Sequence, residues 1–142
     1  MRLLNLSFGA AILAGLCFLP VSAQAASEDE KKKICAQAEE RYQKLIGKPS
    51  ADEDVTIVKM YKYNFCPRLI EVKKGATVRW VNVDRRTSHS VWLKEVGKEE
   101  SDRLFSGETV EITMDMAPGE YTYLCGPHWK EDGMVAKVKV VD

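Results

Sequence analysis

From residue 55 onward the chain is written in short β-type runs separated by turn residues. This pattern constrains the fold more than any other feature of the sequence. Residues 55–63 are rich in β-branched and aromatic side chains, and runs at 69–72, 77–82 and 90–93 follow. Residues 109–114 alternate, with Val110, Ile112 and Met114 on one side, and runs at 119–124 and 135–141 complete the set. Lys74-Gly75, Ser106-Gly107 and Pro118-Gly119 supply turn signals between them. Short strands at this spacing, with no helical pattern among them, predict an all-β Greek-key β-sandwich. The polar segment 94–106 reads as a long surface loop with a short strand at most.

The N-terminal part is built differently. Met1-Arg2 gives a short positive start, residues 3–21 are apolar, and Ala23-Gln24-Ala25 is a small-x-small cleavage site. Residues 1–25 therefore read as a secretory signal peptide, which places the mature protein in the periplasm or otherwise outside the cytoplasm. Cys17 follows Leu16, where a lipidation site needs a small residue, so the Ala-x-Ala exit is favoured. No membrane span is expected in the mature chain. Residues 26–54 read as an N-terminal α-helical extension and linker, and residues 55–142 as the sandwich domain. Ser27 with Glu30 three residues on forms a capping-box signature. Ile34, Cys35, Ala38, Tyr42, Leu45 and Ile46 then recur at helical spacing, and Gly47 and Pro49 stop the helix. One apolar stripe predicts that this helix lies on another element.

Charge excludes some partners. The chain has 21 basic and 21 acidic residues, and only Arg2 leaves with the leader. The mature chain is thus one charge below neutral, with no basic excess to suggest nucleic acid.

The chemistry is concentrated at one end. Cys125-Gly126-Pro127-His128 closes the run 119–124, Met134 follows, and His89 lies upstream. The chain has only two histidines. One thiolate, two imidazoles and one thioether are the ligand set of a mononuclear type 1 copper site, trigonal with a weak axial Met. Thiolate and imidazole together suit both Cu(I) and Cu(II), so little has to move when an electron moves. A strand ending at Cys125 and turning through Gly126-Pro127 returns His128 to the same metal. The turn 129–133 then brings Met134 back beneath it. Each ligand has a plainer reading. Cys125 can pair with another cysteine, His128 can be a surface histidine, and Met134 can be a core filler. Three cysteines remain after cleavage. If Cys125 binds metal, Cys35 and Cys66 are left to form a disulfide in an oxidising compartment; otherwise they are separate buried thiols.

These residues resemble a known family. Phe65-Cys66-Pro67, then Ile70, Val72, Gly75, Val78, Trp80 and Asn82, is similar to the early strands of cupredoxins of the plastocyanin, pseudoazurin and amicyanin group. Asp84 and His89-Ser90-Val91 resemble the first ligand loop. The stretch from Ala117 to Cys125 resembles the penultimate strand, and Gly133-Met134 with Val138 and Val140 resembles the ending. The resemblance spans residues 55–141. It implies a cupredoxin-like sandwich with one copper ion, His89, Cys125 and His128 as equatorial ligands, and Met134 as the axial one. It also implies Ser90 and Asn82 just outside the ligands, with the Ser90 N–H on the thiolate sulfur raising the reduction potential. Partner docking is implied near the second histidine, where Pro127 and Trp129 contribute.

The implied function is electron carriage between redox proteins such as a c-type cytochrome, a dehydrogenase, a reductase or a terminal oxidase, with no substrate chemistry. The competing reading is a periplasmic copper-handling protein, a chaperone or store, but its usual Met-rich clusters are missing: Met60, Met114 and Met116 are scattered. A copper oxidase or nitrite reductase needs more histidines than the sequence offers. Zinc stays open at this level, because affinity alone does not select the metal. Two features depart from the family pattern. The turn between His128 and Met134 is longer than usual, and the N-terminal helix is additional.

Overall fold

The structure is a computed structural model, and it describes residues 27–142. The signal-peptide reading of residues 1–25 lies outside the described residues. Helix α1 (Glu28–Ile46) starts where Ser27 Oγ accepts the Glu30 N–H at 3.2 Å, and an acidic first turn of Glu28, Asp29 and Glu30 complements its dipole. It ends at Gly47, whose φ of 92° is left-handed and whose N–H caps Gln43 O. The predicted stripe is only partly used. Ala38 and Tyr42 are buried, whereas Leu45 and Ile46, in the last turn, stay exposed.

Among the described residues, seven strands form two sheets. β1 (Thr56–Tyr61), β2 (Asn64–Cys66), β4 (Thr77–Asn82) and β5 (Thr109–Thr113) make one, in the order β2-β1-β4-β5. β3 (Leu69–Lys73), β7 (Val135–Val141) and β6 (Gly119–Leu124) make the other, in the order β3-β7-β6. The chain crosses between sheets after β2, β3 and β5, so β1 pairs in parallel with β4, and β3 with β7.

The faces follow the period of two. Val58 and Met60 of β1, Ile70 and Val72 of β3, Val78 and Trp80 of β4, and Ala136, Val138 and Val140 of β7 fill the space between the sheets. β1 is buried on its outer face as well. Ile57 and Tyr61 pack there with Ala38 and Tyr42 of α1 in a second apolar cluster. Fully burying an aromatic such as Tyr42 stabilises by about 1.5–3 kcal/mol. Two further ties hold the helix. Cys35 and Cys66 form a disulfide with their Cα atoms 5.2 Å apart. Glu39 accepts from Ser50 N and Oγ and pairs with the buried Lys59 ammonium at 2.9 Å.

Two expected strands differ. The run 55–63 is one strand followed by a turn, and a second strand begins at Asn64. Lys62 and Tyr63, with φ of 47° and 59°, form the tight hairpin between β1 and β2. Residues 90–93 are not a strand. Only isolated bridges form there, His89 with Leu104 and Trp92 with Leu124. The segment after them holds a single 3-10 turn, Lys94–Val96.

Candidate metal centre

Two loops at one end of the sandwich build the site. The first leaves β4 at Asn82 and is braced by that side chain. Asn82 Nδ2 donates to Thr87 O at 2.9 Å and Leu104 O at 2.8 Å, and its Oδ1 accepts the Asp84 N–H. The bridge to Leu104 then fixes the main chain of His89 on both sides. The second loop follows β6. His128 N–H donates to Cys125 O at 3.0 Å, closing the Gly126-Pro127 turn.

The long turn is absorbed by coiling. Asp132 N–H reaches back to His128 O in one helical turn, and Gly133, with φ of 65°, reverses the chain. Met134 N–H then donates to His128 O, and Cys125 N–H to Met134 O, each at 3.1 Å. In the β6–β7 ladder Leu124 pairs with Val135, so Cys125 and Met134 stand opposite each other with side chains on one face.

His89, Cys125 and His128 come together, with donor atoms within 4.8 Å of one another. Cys125 Sγ lies 3.8 Å from His89 Nδ1 and 3.3 Å from His128 Nδ1. Bonds of about 2.0 Å to nitrogen and 2.3 Å to sulfur, at trigonal angles, space N and S by about 3.7 Å. The cluster therefore fits a single small cation. Cys125, His89 and Met134 have no solvent exposure, and His128 is half-buried.

Burial sets the protonation. It holds His89 down at about 4, helped by His128 and opposed by Asp84, and it lowers His128 too. Both rings are thus neutral at neutral pH, the form that binds metal. Burial pushes the Cys125 thiol up, against the pull of the Ser90 N–H and hydroxyl, so metal binding releases that proton.

Around the donors, Ser90 N–H points at Cys125 Sγ from 3.4 Å. The Ser90 hydroxyl donates to Glu100 Oε1 at 2.6 Å and accepts the Gly126 N–H at 3.0 Å. Asp84 Oδ2 lies 3.8 Å from His89 Nε2, an atom with no hydrogen-bond partner within reach. Pro127 and Trp129 are half-buried, with Trp129 flanked by the ammonium groups of Lys94 and Lys130 at 5.4 and 5.1 Å. Sequence reasoning passed over two contributors. Glu100 lies in a charged loop with no motif. Tyr63 sits in the unrecognised hairpin, and its ring meets that of His128 edge-on at 4.9 Å.

Comparison with known proteins agrees with this geometry. Residues 52–141 match the family described as copper binding proteins, plastocyanin/azurin family. Amicyanin-alpha of Methylorubrum extorquens is 34% identical over 77 residues, covering 51% of this chain and 63% of that protein. The chain thus spans less than two thirds of the length of that relative. The structure of amicyanin from Paracoccus versutus is 31% identical, covers 65% of this chain and 88% of its own, and superposes with a TM-score of 0.54. A Cu-containing nitrite reductase from Thermus scotoductus is 30% identical over 68% of this chain, with a TM-score of 0.53, but only 24% of that enzyme is covered. One copper ion per chain is the family's cofactor, and the His89, Cys125 and His128 cluster fits its type 1 site. The chain belongs to the plastocyanin/azurin family of copper binding proteins.

Proposed function

We propose that the protein is an exported carrier of single electrons, with His89, Cys125 and His128 as equatorial copper ligands and Met134 as the axial one. The observation that carries this reading is the trio of one sulfur and two nitrogens, two of its residues buried and His128 half-buried, within 4.8 Å of one another. Bound copper supplies one-electron chemistry by cycling between Cu(I) and Cu(II). The chain's own residues keep the donors still. Asn82 braces the first loop, the helical turn closes the second, and the Ser90 N–H stabilises negative charge on sulfur. Sandwich side chains exclude water, and the half-buried His128 ring is the donor nearest the surface.

Met134 as axial ligand is supported by its burial and its place across the ladder from Cys125. Docking at Pro127 and Trp129 is supported by their position beside His128. Export is supported by the leader pattern of residues 1–25 and by the Cys35–Cys66 disulfide, a bond of oxidising compartments. Both histidines of the 142 residues are taken by this site, which leaves no imidazole for a second copper centre.

Reductive titration of the copper-loaded protein tests the reading. Uptake of one electron per chain, reversed by a mild oxidant, is expected. A copper site that stays silent to reductant and oxidant would contradict electron carriage and favour copper handling.

A further inference from the structure

Helix α1 and the first ligand loop face each other across a surface that neither the fold nor the metal site accounts for. Three neighbouring depressions run between them, and Arg41 and Arg85 line all three. Lys44 lines two of them. Lys62 and Arg86 line the one nearest the metal, a groove of about 440 Å³ that also includes Tyr63. Five cations thus share one strip.

Little opposes them. The carboxylates on the strip are Glu40 and Asp84, and Asp29 and Glu30 share the next depression with Lys62 and Lys33. Asp84 is buried, and its two oxygens accept the main-chain N–H groups of Lys62 and Arg86. Among the described residues, none of the five cations forms a salt bridge. The Arg41 guanidinium lies 4.6 Å over the Tyr61 ring, and Lys62 Nζ donates to the neutral Gln37 amide oxygen at 3.1 Å. These contacts orient the charges without cancelling them. A chain of balanced overall charge therefore gathers uncompensated positive charge on one face.

The strip leads to the metal site. Tyr63, 41% exposed, forms its rim, and the Tyr63 ring meets the His128 ring at 4.9 Å. A protein seated there would lie one aromatic ring from a copper ligand. The hairpin that sets Tyr63 in place is tied by the Lys62–Asp84 bond to the loop that presents Arg85 and Arg86.

We propose that this strip extends the docking surface beside His128 and receives the acidic surface of an electron-transfer partner, with α1 fastened to the sandwich to complete it. The proposal rests on the single-electron reading above. Charge of this kind acts over a Debye length of about 8 Å at physiological salt and raises the rate of encounter more than the final affinity.

The test is stopped-flow reduction of the oxidised, copper-loaded mature protein by two probes of opposite surface charge. Flavodoxin hydroquinone is acidic and ferrocytochrome c is basic. Each gives one electron to Cu(II), leaving Cu(I) with flavodoxin semiquinone or ferricytochrome c. The flavodoxin rate is expected to fall about tenfold or more between low and high salt, and as far in Arg41→Glu/Arg85→Glu at low salt. The cytochrome rate is expected to move the other way. The conservative Arg41→Lys/Arg85→Lys pair should keep the flavodoxin rate within about twofold. An unchanged flavodoxin rate in the charge-reversed variant, with its visible copper band intact, would overturn the docking proposal alone. A copper-loaded protein that neither probe nor dithionite can reduce would overturn the electron-carrier reading and the docking proposal with it.

Discussion

The backbone N–H of Ser90 points at the sulfur of Cys125 from 3.4 Å, across 35 residues of sequence. The same residue uses its hydroxyl to join Glu100 to the Gly126 N–H. One serine thus links both ligand loops and a carboxylate from a third segment. The link holds the cysteine and the first histidine in mutual register without touching either imidazole.

Gly126 is the place to probe that link. A Cβ there would collide with the Glu100 carboxylate. Gly126→Ala should therefore expel Glu100 from the Ser90 hydroxyl and destabilise the metal-free protein by about 1–2 kcal/mol. In a double-mutant cycle, Glu100→Ala should already have lost that bond, so adding Gly126→Ala should cost clearly less. Urea unfolding of the four proteins measures this, and additive effects would show that the two residues act independently.

Glu39 fixes helix α1 electrostatically. Its partial burial would raise the carboxyl, but the Ser50 hydroxyl and amide, Lys59 and Gln43 hold it down at about 2. A group lowered in the folded state stabilises above its ordinary value of 4.5, and that contribution fades as pH falls toward 2. Glu39→Gln should thus cost about 1–2 kcal/mol at neutral pH, discounted for its partial exposure, and almost nothing near pH 2. Paired urea titrations of the metal-free proteins across this range report the difference and cancel the titration of the histidines. A gap that stayed constant with pH would refute the ion-pair account.

Met134→Leu removes the thioether while keeping the volume. Copper should stay bound through His89, Cys125 and His128, and the reduction potential should rise, because a weak donor that favours Cu(II) is gone. Voltammetry and copper analysis measure both. Loss of all copper would mean that Met134 serves the site by packing or by an essential bond rather than as a weak ligand.

Much of this was legible in the sequence because the informative residues are local. Cys125, His128 and Met134 lie on one loop, and period-two burial marks β3, β5 and β7. The helix boundaries were readable from Ser27 and Gly47. What the sequence hid depends on tertiary context. The β1–β2 hairpin turns on Lys62 and Tyr63, which carry none of the Gly or Asn signals that positive φ usually demands. Residues 90–93 have strand composition but are placed by single bridges and by side-chain bonds from Ser101 and Glu100. Leu45 and Ile46 fit the helical stripe yet stay exposed in the last turn of the helix. Glu100 reaches Ser90, and Tyr63 reaches His128, only through folding, so no spacing rule could find them.

The central claim is that Cys125 binds copper as a thiolate, and optical and EPR spectra of the Cu(II)-loaded protein and its Cys125→Ser variant test it most directly. The account predicts an intense visible charge-transfer band with small copper hyperfine splitting, bleached by reductant and absent from a folded Cys125→Ser variant. An intense band that survives in Cys125→Ser, or a parent protein with only the weak absorption of ordinary Cu(II), would contradict it.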